Sequence, residues 1–439
     1  MNKLQKMTNQ ILADYYLLKL KRIQKKPLEH LKSEQLKKLR AIVKYSYNYV
    51  PYYHQLLKFA KIKPEDIKTF DDVKKIPLTD KQMIRRNYDF IVPTRIDVSR
   101  LPTSFSSGST GEPMKFFFDY STKSYHAALD KYVFSECSVK PNDRFVTIWG
   151  RAQSIIHSRP YTMILKGFNE IIVPAFFEEA KLINTLRQIK PDVIYTFPSL
   201  LTLLANADVS GISPRLIFTQ GETVTQHCRD SVRNTFNLEI FETYGSVEFE
   251  FLAFECEEHC GLHMITDGSY IEFIDEDGEH VSPGEEGEII VTGLYNHAMP
   301  LIRYRIGDKG IFTDEKCPCG RSLPLIKNIL GRRDDYLILP SGRKISYMNF
   351  YDSFFREMEK DVFCISQFQI VQESLDKIFF KIVKGKNFDY ETLSKIKNAI
   401  ETFFMKHDET VEVTIQVVDD IPKGKTGKRG RLISKIVNK

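Results

Sequence analysis

The sequence has no long hydrophobic run and no recognisable export signal. No stretch of its 439 residues approaches the ~20 apolar residues that a membrane-spanning helix requires. The first residues, MNKLQKMTNQILADYYLLKLKR, lack the uninterrupted apolar core and the small-residue cleavage site of a signal peptide. Internal repeats and low-complexity tracts are absent as well. We therefore expect a cytoplasmic protein without a membrane span.

The sequence also lacks a strong excess of charge of either sign. Lysine and arginine number 63 against 57 aspartates and glutamates, which leaves a net charge of +6. Basic residues crowd positions 17–40 and 423–439, whereas acidic residues are spread through the middle of the chain. This balance suits an anionic small ligand, and it does not require nucleic acid or a membrane as a partner.

A disulfide framework is not expected. Seven cysteines are an odd number, and a large chain without a secretory signal rarely depends on disulfides. Two pairs are closely spaced, in CEEHC at 256–260 and in CPC at 317–319. Thiolates together with imidazole favour tetrahedral Zn²⁺, so these pairs indicate a metal site, with ordinary reduced thiols as the alternative. From the residues alone, His259, Cys260 and His263 compete to complete it.

Length and hydrophobic pattern predict at least two domains, because single cores stop growing near ~250 to 300 residues. Apolar residues at helical spacing run over 28–59 and are interrupted at Pro51. From about residue 144, short β-rich runs alternate with helical segments, which predicts a mostly parallel sheet covered on both faces. Residues 266–315 indicate strands without helices, and the part after 331–335 indicates a small α+β unit.

A loop rich in glycine and serine, SSGSTGEP at 106–113, precedes a predicted strand. Backbone N–H groups exposed by such a loop can bind an anion, and its hydroxyls can add donors to phosphate oxygens. An ordinary turn is the alternative. The loop is not a Walker loop, and the triplet Gly424-Lys425-Thr426 is not one either, because Asp419 stands where the first glycine should be.

The chain carries six short stretches whose order is more specific than any one of them. They are SSGSTGEP (106–113), TQGETVT (219–225), TYGSVE (243–248), RYRIGD (303–308), GRRDD (331–335) and KGKTGK (423–428). In this order the chain resembles the adenylate-forming enzymes, which include acyl-CoA synthetases, luciferases and adenylation domains. Together with EC and GLH at 255–263 and CPCGR at 317–321, the stretches look most similar to the branch of phenylacetate-CoA ligase, coenzyme F390 synthetase and capsular polysaccharide proteins.

The resemblance implies an α/β fold with a mobile C-terminal lid. A large N-terminal AMP-binding domain of sandwiched sheets plus a β-rich section would span 1–332, and a small α+β domain would span 333–439. In the family the small domain rotates between two half-reactions, and Asp334 lies at the matching hinge. Residues 1–100 match the family only loosely, so a role in substrate choice or in a homodimer stays open.

The resemblance also implies an ATP-dependent reaction. A carboxylic acid is joined to AMP with loss of pyrophosphate, and a nucleophile then displaces AMP. Catalysis of the first step is mostly positioning and electrostatic stabilisation. Glu248 would hold Mg²⁺, Tyr244 would lie against the adenine, and Asp308 would bind the ribose hydroxyls. The other expected ATP-binding residues are Ser106, Ser107, Gly108, Ser109, Thr110, Gly111, Gly221, Glu222, Thr243, Gly245 and Arg332.

Lys428 is the catalytic lysine that the resemblance implies. In the family a lysine on a C-terminal glycine-containing loop reaches the acyl carboxylate and the α-phosphate during adenylation. Lys428 follows Thr-Gly where that lysine is expected, with Lys425 as its competitor. The alternative is a solvated basic tail, since several other basic residues lie between 423 and 431.

The resemblance assigns the metal ligands to Cys256, His263, Cys317 and Cys319. Four protein ligands leave no open coordination position, so we expect the zinc to be structural. The acid is less defined: the aromatic side chains of Trp149, Tyr195 and Phe197, with Thr243, would suit an aryl or other apolar acid.

CoA is the acyl acceptor typical of this branch. The alternative is a ligase that transfers the acyl group to an amine, a hydroxyl or a carrier protein in polysaccharide or natural-product synthesis. A basic binding protein that contacts nucleic acid or anionic lipid through its termini is a hypothesis of another class. It leaves the six ordered stretches unexplained.

Overall fold

A computed structural model describes residues 3–105, 114–149, 161–165, 168–175, 177, 179–332, 336–358, 365–385, 388–407, 409–422 and 432–436. The chain forms two compact units. Unit 1 is built from Met1–Pro141, Leu165–Phe168 and Phe241–Ile329. Unit 2 is built from Asn142–Ile164, Asn169–Ile240 and Leu330–Lys439. The predicted domain boundary between 332 and 333 stays a prediction.

The segments predicted to be helical form helices, and four further helices were not predicted, at 3–23, 70–73, 81–86 and 120–136. Their bounds are α1 Lys3–Ile23, α2 Leu28–Tyr49, α3 Pro51–Phe59, α4 Phe70–Val73, α5 Lys81–Arg86, α6 Tyr120–Glu136, α7 Glu179–Ile189, α8 Pro198–Asn206, α9 Gln226–Phe236, α10 Tyr347–Met358 and α11 Tyr390–Met405. Short 3₁₀ turns lie at Pro64–Asp66 and Val98–Arg100. None of the helices in the described residues is both long enough and apolar enough to span a membrane.

The strands follow the predicted change of pattern along the chain. Their bounds are β1 Thr103–Phe105, β2 Lys115–Phe117, β3 Phe145–Trp149, β4 Tyr161–Leu165, β5 Phe168–Pro174, β6 Val193–Thr196, β7 Leu216–Thr219, β8 Ile240–Ser246, β9 Glu250–Glu255, β10 Leu262–Met264, β11 Ser269–Ile274, β12 Glu286–Gly293, β13 Tyr304–Thr313, β14 Leu325–Arg332, β15 Tyr336–Ile338, β16 Lys344–Ser346, β17 Ile365–Ser374, β18 Lys377–Lys384, β19 Glu412–Val417 and β20 Leu432–Ser434.

Unit 1 packs the N-terminal helices against antiparallel strands. The strand order is β11-β12-β13-β14-β10-β9-β8. Helix α2 buries Leu31, Gln35, Leu39 and Ile42 at spacings of four, four and three residues, as an amphipathic helix must. Pro51 starts α3, since proline is tolerated in the first turn of a helix but ends the preceding one. Among the candidate site residues, these antiparallel strands carry Thr243, Tyr244, Gly245, His263 and Asp308.

In the described residues, unit 2 contains two larger groups of paired strands and the short antiparallel pair of β15 and β16. In the first, β3, β5, β6 and β7 pair in parallel, and helices α7, α8 and α9 alternate with its strands. In the second, the order is β19-β18-β17-β20, and α10 and α11 share a core with it. Strand β20 pairs in parallel with β17 and was not predicted from its short sequence.

Candidate active site and metal centre

Tyr244 and Asp308 lie in hydrogen-bond contact. Tyr244, on β8, is 7% exposed and donates from its hydroxyl to Oδ2 of Asp308 at 2.9 Å. The register between β12 and β13 shifts at the residues of β13 that precede Asp308, where Gly307 has a φ of +90°. Irregular pairing of this kind re-aims a side chain out of a regular ladder. The residues predicted for adenine and ribose therefore meet in unit 1.

Glu248 lies in the turn between β8 and β9. Its Oε1 is 3.3 Å from the hydroxyl of the buried Tyr304, on the same strand as Asp308. The turn ends at Glu250, which has a φ of +62°, a conformation rare for residues other than glycine. A half-exposed carboxylate beside a hydroxyl supplies hard oxygen ligands, which fits Mg²⁺. Sequence reasoning missed Tyr304, because a tyrosine on a buried strand gives no signal of its own.

Thr243 and Gly245 flank Tyr244 on β8. Thr243 is buried and pairs with Phe254 of β9, whereas the pairing shifts between Tyr244 and Gly245. This shift in the pairing lies directly after Tyr244, whose hydroxyl contacts Asp308. Thr243 is thus part of the strand ladder of unit 1.

Gly221 and Glu222 follow β7 in unit 2. Gly221 has a φ of +88°, which glycine adopts without strain. The carboxylate of Glu222 accepts hydrogen bonds from the backbone N–H of Ser199 at 3.0 Å and from its hydroxyl at 3.1 Å. Ser199 is in the first turn of α8, where an anionic side chain is favourable. The loop after β7 is therefore held to the start of that helix.

The aromatic residues proposed for the acid pocket form a cluster in unit 2. The ring centres of Trp149 and Phe197 are 4.1 Å apart, and those of Trp149 and Tyr195 are 5.6 Å apart. Tyr195 and Phe197 are buried, and the Tyr195 hydroxyl donates to the side-chain carbonyl of Gln220. Trp149 is half-buried and is the member of the cluster that reaches solvent.

Several predicted site residues lie outside the described residues. They are Ser106, Ser107, Gly108, Ser109, Thr110, Gly111, Asp334, Lys425 and Lys428. Arg332 is described and is exposed at the end of β14 in unit 2.

Cys256, His263, Cys317 and Cys319 come together in unit 1, with all four ligand atoms within 4.8 Å of one another. The Sγ atoms of Cys256 and Cys317 are 3.5 Å apart, and Nε2 of His263 is 3.4 Å from Sγ of Cys256 and from Sγ of Cys319. Tetrahedral bonds of ~2.3 Å to sulfur and ~2.0 Å to nitrogen require ligand separations of about this size. The donor set therefore fits zinc.

The rival ligands of the sequence analysis lie elsewhere. Cys260 is exposed and donates to the backbone carbonyl of Glu258. Nδ1 of His259 is 3.5 Å from the carboxylate of Glu255. Among the residues that the structure describes, the metal-type group contains neither of them.

Burial and one arginine tune the ligand protonation states. Burial, assisted by Arg321, lowers the pKa of His263 to about 4, so its imidazole is neutral at pH 7 as a metal ligand must be. Burial raises the pKa of the Cys256 thiol. At Cys319 hydrogen bonds from Arg321 outweigh the effect of burial, and the pKa of this thiol is lowered. Metal binding would replace the protons on these thiols.

Arg321 was not predicted, and it connects the loop that carries Cys317 and Cys319 to the residue after α1 and to the end of α6. Its Nε donates to Oε1 of Gln24 at 3.0 Å, and a terminal nitrogen lies 2.9 Å from Oε2 of Glu136. Gln24 is 2% exposed and also accepts from Tyr132 of α6. A lone arginine in CPCGR gives no signal of this role, because its partners are more than a hundred residues away in the chain.

Two family models match this chain. Residues 101–299 match the model of AMP-binding enzymes, and residues 337–435 match the CapK C-terminal domain. Phenylacetate-coenzyme A ligase of Aromatoleum evansii is 30% identical over 352 residues, which are 73% of this chain and 74% of that relative. Protein CapK of Staphylococcus aureus is 24% identical over 410 residues, which are 89% of this chain and 87% of that relative.

One solved structure is similar to this chain in its fold. The 2-hydroxyisobutyryl-CoA ligase in the postadenylation state, in complex with 2-HIB-AMP, is similar with a TM-score of 0.74 and 18% identity. The similarity covers 93% of this chain and 90% of that one. At this identity the likeness shows the fold alone, and it confirms the predicted α/β class with a C-terminal α+β region.

Proposed function

This chain belongs to the family of AMP-binding enzymes, in the branch that holds the phenylacetate-CoA ligases and CapK, and from this premise we propose that it activates a small carboxylic acid with ATP and transfers the acyl group to CoA. Its class is that of an AMP-forming acid–thiol ligase. Pyrophosphate leaves in the first step and AMP in the second.

The hydrogen bond between Tyr244 and Asp308 is the observation that carries this proposal. A carboxylate has two oxygens and can accept from both hydroxyls of a ribose while one of its lone pairs is held by Tyr244. The tyrosine fixes the carboxylate in one orientation before ATP arrives, so less ordering is required on binding. Tyr244 then offers its ring to the adenine, as the resemblance implies.

The remaining ATP contacts follow from the family. Glu248 would hold Mg²⁺, which supplies charge neutralisation for the phosphates when bound. Residues Ser106–Gly111 would cradle the β- and γ-phosphates, and Lys428 would reach the α-phosphate during the first step. Arg332, Gly221 and Glu222 would complete the nucleotide site, and the division into 1–332 and 333–439 would let Lys428 leave for the second step.

The acid is best assigned to an aryl or other apolar class. Trp149, Tyr195 and Phe197 supply an aromatic surface, of which Trp149 reaches solvent. Aromatic faces favour apolar ligands through buried area and stacking.

The likeness to CapK keeps a second acceptor class as the alternative. The similarity to CapK runs over 89% of this chain and the C-terminal region matches the CapK model, whereas the similarity to the A. evansii ligase covers 73%. An amine, a hydroxyl or a carrier protein is therefore the alternative acceptor to CoA.

A structural zinc ion is the proposed occupant of the four-ligand group. Cys256, His263, Cys317 and Cys319 would use all four tetrahedral positions, which leaves none for chemistry. The ion would join the end of β9 and β10 to the loop before β14. Reduced thiols fit a cytoplasmic setting, which we propose for the protein.

The test is pyrophosphate release with ATP and Mg²⁺ across a panel of aryl, fatty and amino acids. We expect acid-dependent release for the wild type and strong loss in Asp308→Ala and Lys428→Ala. Exposed Lys435→Ala serves as the control for a basic residue near the C-terminal end. With the active acid identified, CoA is compared with amines and hydroxyls as the second substrate.

Two results would contradict the proposal. If Asp308→Ala releases pyrophosphate as the wild type does, the assignment of Asp308 to the nucleotide site is wrong. Absence of acid-dependent release across the panel would remove the proposed acid class. Adduct formation with amines but not with CoA would select the alternative acceptor.

A further inference from the structure

Helix α1 carries a row of exposed apolar side chains along its outward face. Met7, Ile11, Tyr15 and Leu18 are 58%, 63%, 59% and 57% exposed. Their spacings of four, four and three residues place them on one side of the helix. In the part of the chain that the structure describes, each other helix has at most one large apolar side chain of comparable exposure. We call these four residues the α1 stripe.

The opposite face of α1 is already used for packing. Ala13, Tyr16 and Leu20 are buried, and the Tyr16 hydroxyl lies 2.8 Å from the hydroxyl of Ser121 on α6. The helix therefore has two apolar faces, one held in unit 1 and one turned to solvent. Four adjacent exposed apolar side chains are more than the scattered single residues of an ordinary surface, and they indicate an interaction site.

The charge around the α1 stripe indicates that its partner is anionic. Residues 1–26 contain seven lysines and arginines and one acid, Asp14, which lies 3.2 Å from Lys131. Lys21, Arg22, Lys25 and Lys26 are exposed at the end of the helix and beyond it. Arg22, in the last turn of α1, follows Leu18 by four residues and continues the face of the stripe, and Lys25 lies just beyond the end of the helix.

We propose that the α1 stripe docks on an anionic lipid surface, with α1 lying in the plane of the interface. Apolar side chains on one face with flanking lysines and arginines are the pattern of interfacial helices, which gain from both buried area and attraction to anionic headgroups. A second copy of this chain fits less well, because it would bring two strongly basic helices together. Docking would bring the enzyme to apolar acids dissolved in the membrane.

The test is co-sedimentation of the full chain with vesicles. Vesicles of phosphatidylglycerol and phosphatidylcholine in equal parts are compared with pure phosphatidylcholine. We expect binding to the anionic vesicles that weakens with salt. Arg22→Gln with Lys25→Gln should weaken it about fivefold for each charge removed. Ile11→Ser with Leu18→Ser should weaken it at least about tenfold.

The matched control is Phe59→Ser with Met405→Ser, which removes two apolar side chains elsewhere that are more exposed than Ile11 and Leu18 and should leave binding unchanged. Thermal midpoints equal to that of the wild type show that the variants are folded. Equal binding to both vesicle types, or equal weakening by the control pair, overturns the proposal. A dimer that Ile11→Ser with Leu18→Ser converts to monomer, with vesicle binding intact, assigns the stripe to a second copy and also overturns it.

Discussion

The hydroxyl of Tyr244 donates a hydrogen bond to Oδ2 of Asp308 at 2.9 Å, and it joins two residues that are 64 positions apart in the chain. Asp308 does not need this bond for the fold, since its partly exposed carboxylate can be solvated by water. The bond instead fixes the direction in which the second carboxylate oxygen is offered. The affinity for ATP should therefore depend on the hydroxyl of Tyr244, even though this hydroxyl need not contact the ribose.

Tyr244→Phe should raise the KM for ATP about three- to tenfold, because one hydrogen bond to a carboxylate is lost while the ring is kept. Asp308→Ala should raise it further, since the acceptor for the ribose is removed. The measurement is the initial rate of pyrophosphate release as a function of ATP concentration. Tyr47→Phe, which removes a hydroxyl from α2, is the matched control and should leave the KM unchanged. A KM that Tyr244→Phe does not alter contradicts the role assigned to this bond.

Most of the fold could be predicted from the sequence because hydrophobic period and turn chemistry are local. The predicted alternation of strands and helices from about residue 144 is present in β3, β5, β6 and β7 with α7, α8 and α9. Helix α6 was missed, because it is buried around much of its circumference and its apolar residues form no single stripe. The short strand β20 was missed because its pairing with β17 is fixed by tertiary contacts.

The sequence predicted those residues of the candidate site whose roles follow from the ordered motifs, and it did not predict their partners. The group of Cys256, His263, Cys317 and Cys319 followed from the resemblance, whereas spacing alone left Cys260 and His259 as rivals. The partners Tyr304 and Arg321 could not be found, because each depends on a contact between distant parts of the chain. Long-range contacts of single polar residues leave no pattern in a sequence.

Purified protein should contain one zinc ion per chain, and its removal by a strong chelator should lower thermal stability. The ion would hold three thiolates and an imidazole that otherwise lie close together, three of them on buried residues and one on the half-buried Cys319. Cys256→Ser should abolish zinc binding, and its thermal midpoint should no longer respond to chelator. The measurements are metal analysis and thermal unfolding.

Cys260→Ser is the matched control, since this exposed cysteine lies four residues from Cys256 and outside the group. It should retain one zinc ion and the thermal midpoint of the wild type. Loss of zinc in Cys260→Ser would contradict the ligand assignment. Arg321→Ala should keep the ion but bind it more weakly, because the cation beside the Cys319 thiol is lost.

Stability should fall as the pH is lowered from 7 to 5, in part because of His126. Burial lowers the pKa of His126 from 6.5 to about 4, although the neighbouring Glu250 and Asp119 oppose this and Lys123 assists it. Between these pKa values the unfolded chain binds more protons than the native one, so the free energy of unfolding decreases as pH falls. The contribution of His126 is complete above pH 6.5 and should be smaller by about 2 kcal/mol at pH 5.

His126→Gln should reduce this dependence on pH, because glutamine does not titrate. The measurement is urea unfolding at pH 7 and pH 5, and the quantity compared is the difference between the two free energies. His30→Gln, in the exposed first turn of α2, is the control and should behave as the wild type. An unchanged difference in His126→Gln would mean that His126 accepts its proton without loss of the native fold.

Gly261→Ala should destabilise unit 1 by roughly 3 kcal/mol, through strain and overlap together. Gly261 has a φ of +135°, and a Cβ there would lie 2.7 Å from the backbone oxygen of Ile326 on β14. Strand β10 begins at the next residue and pairs with β14 at Ile326, so the overlap pushes apart the strands that position His263. Zinc content should therefore fall along with stability.

Gly211→Ala provides the comparison, since its φ is +82° but no atom lies within 4 Å of the added carbon. It should cost only about 1 kcal/mol, the strain of the left-handed backbone alone, and leave zinc bound. Equal losses in the two variants would show that close packing against β14 does not explain the glycine at 261.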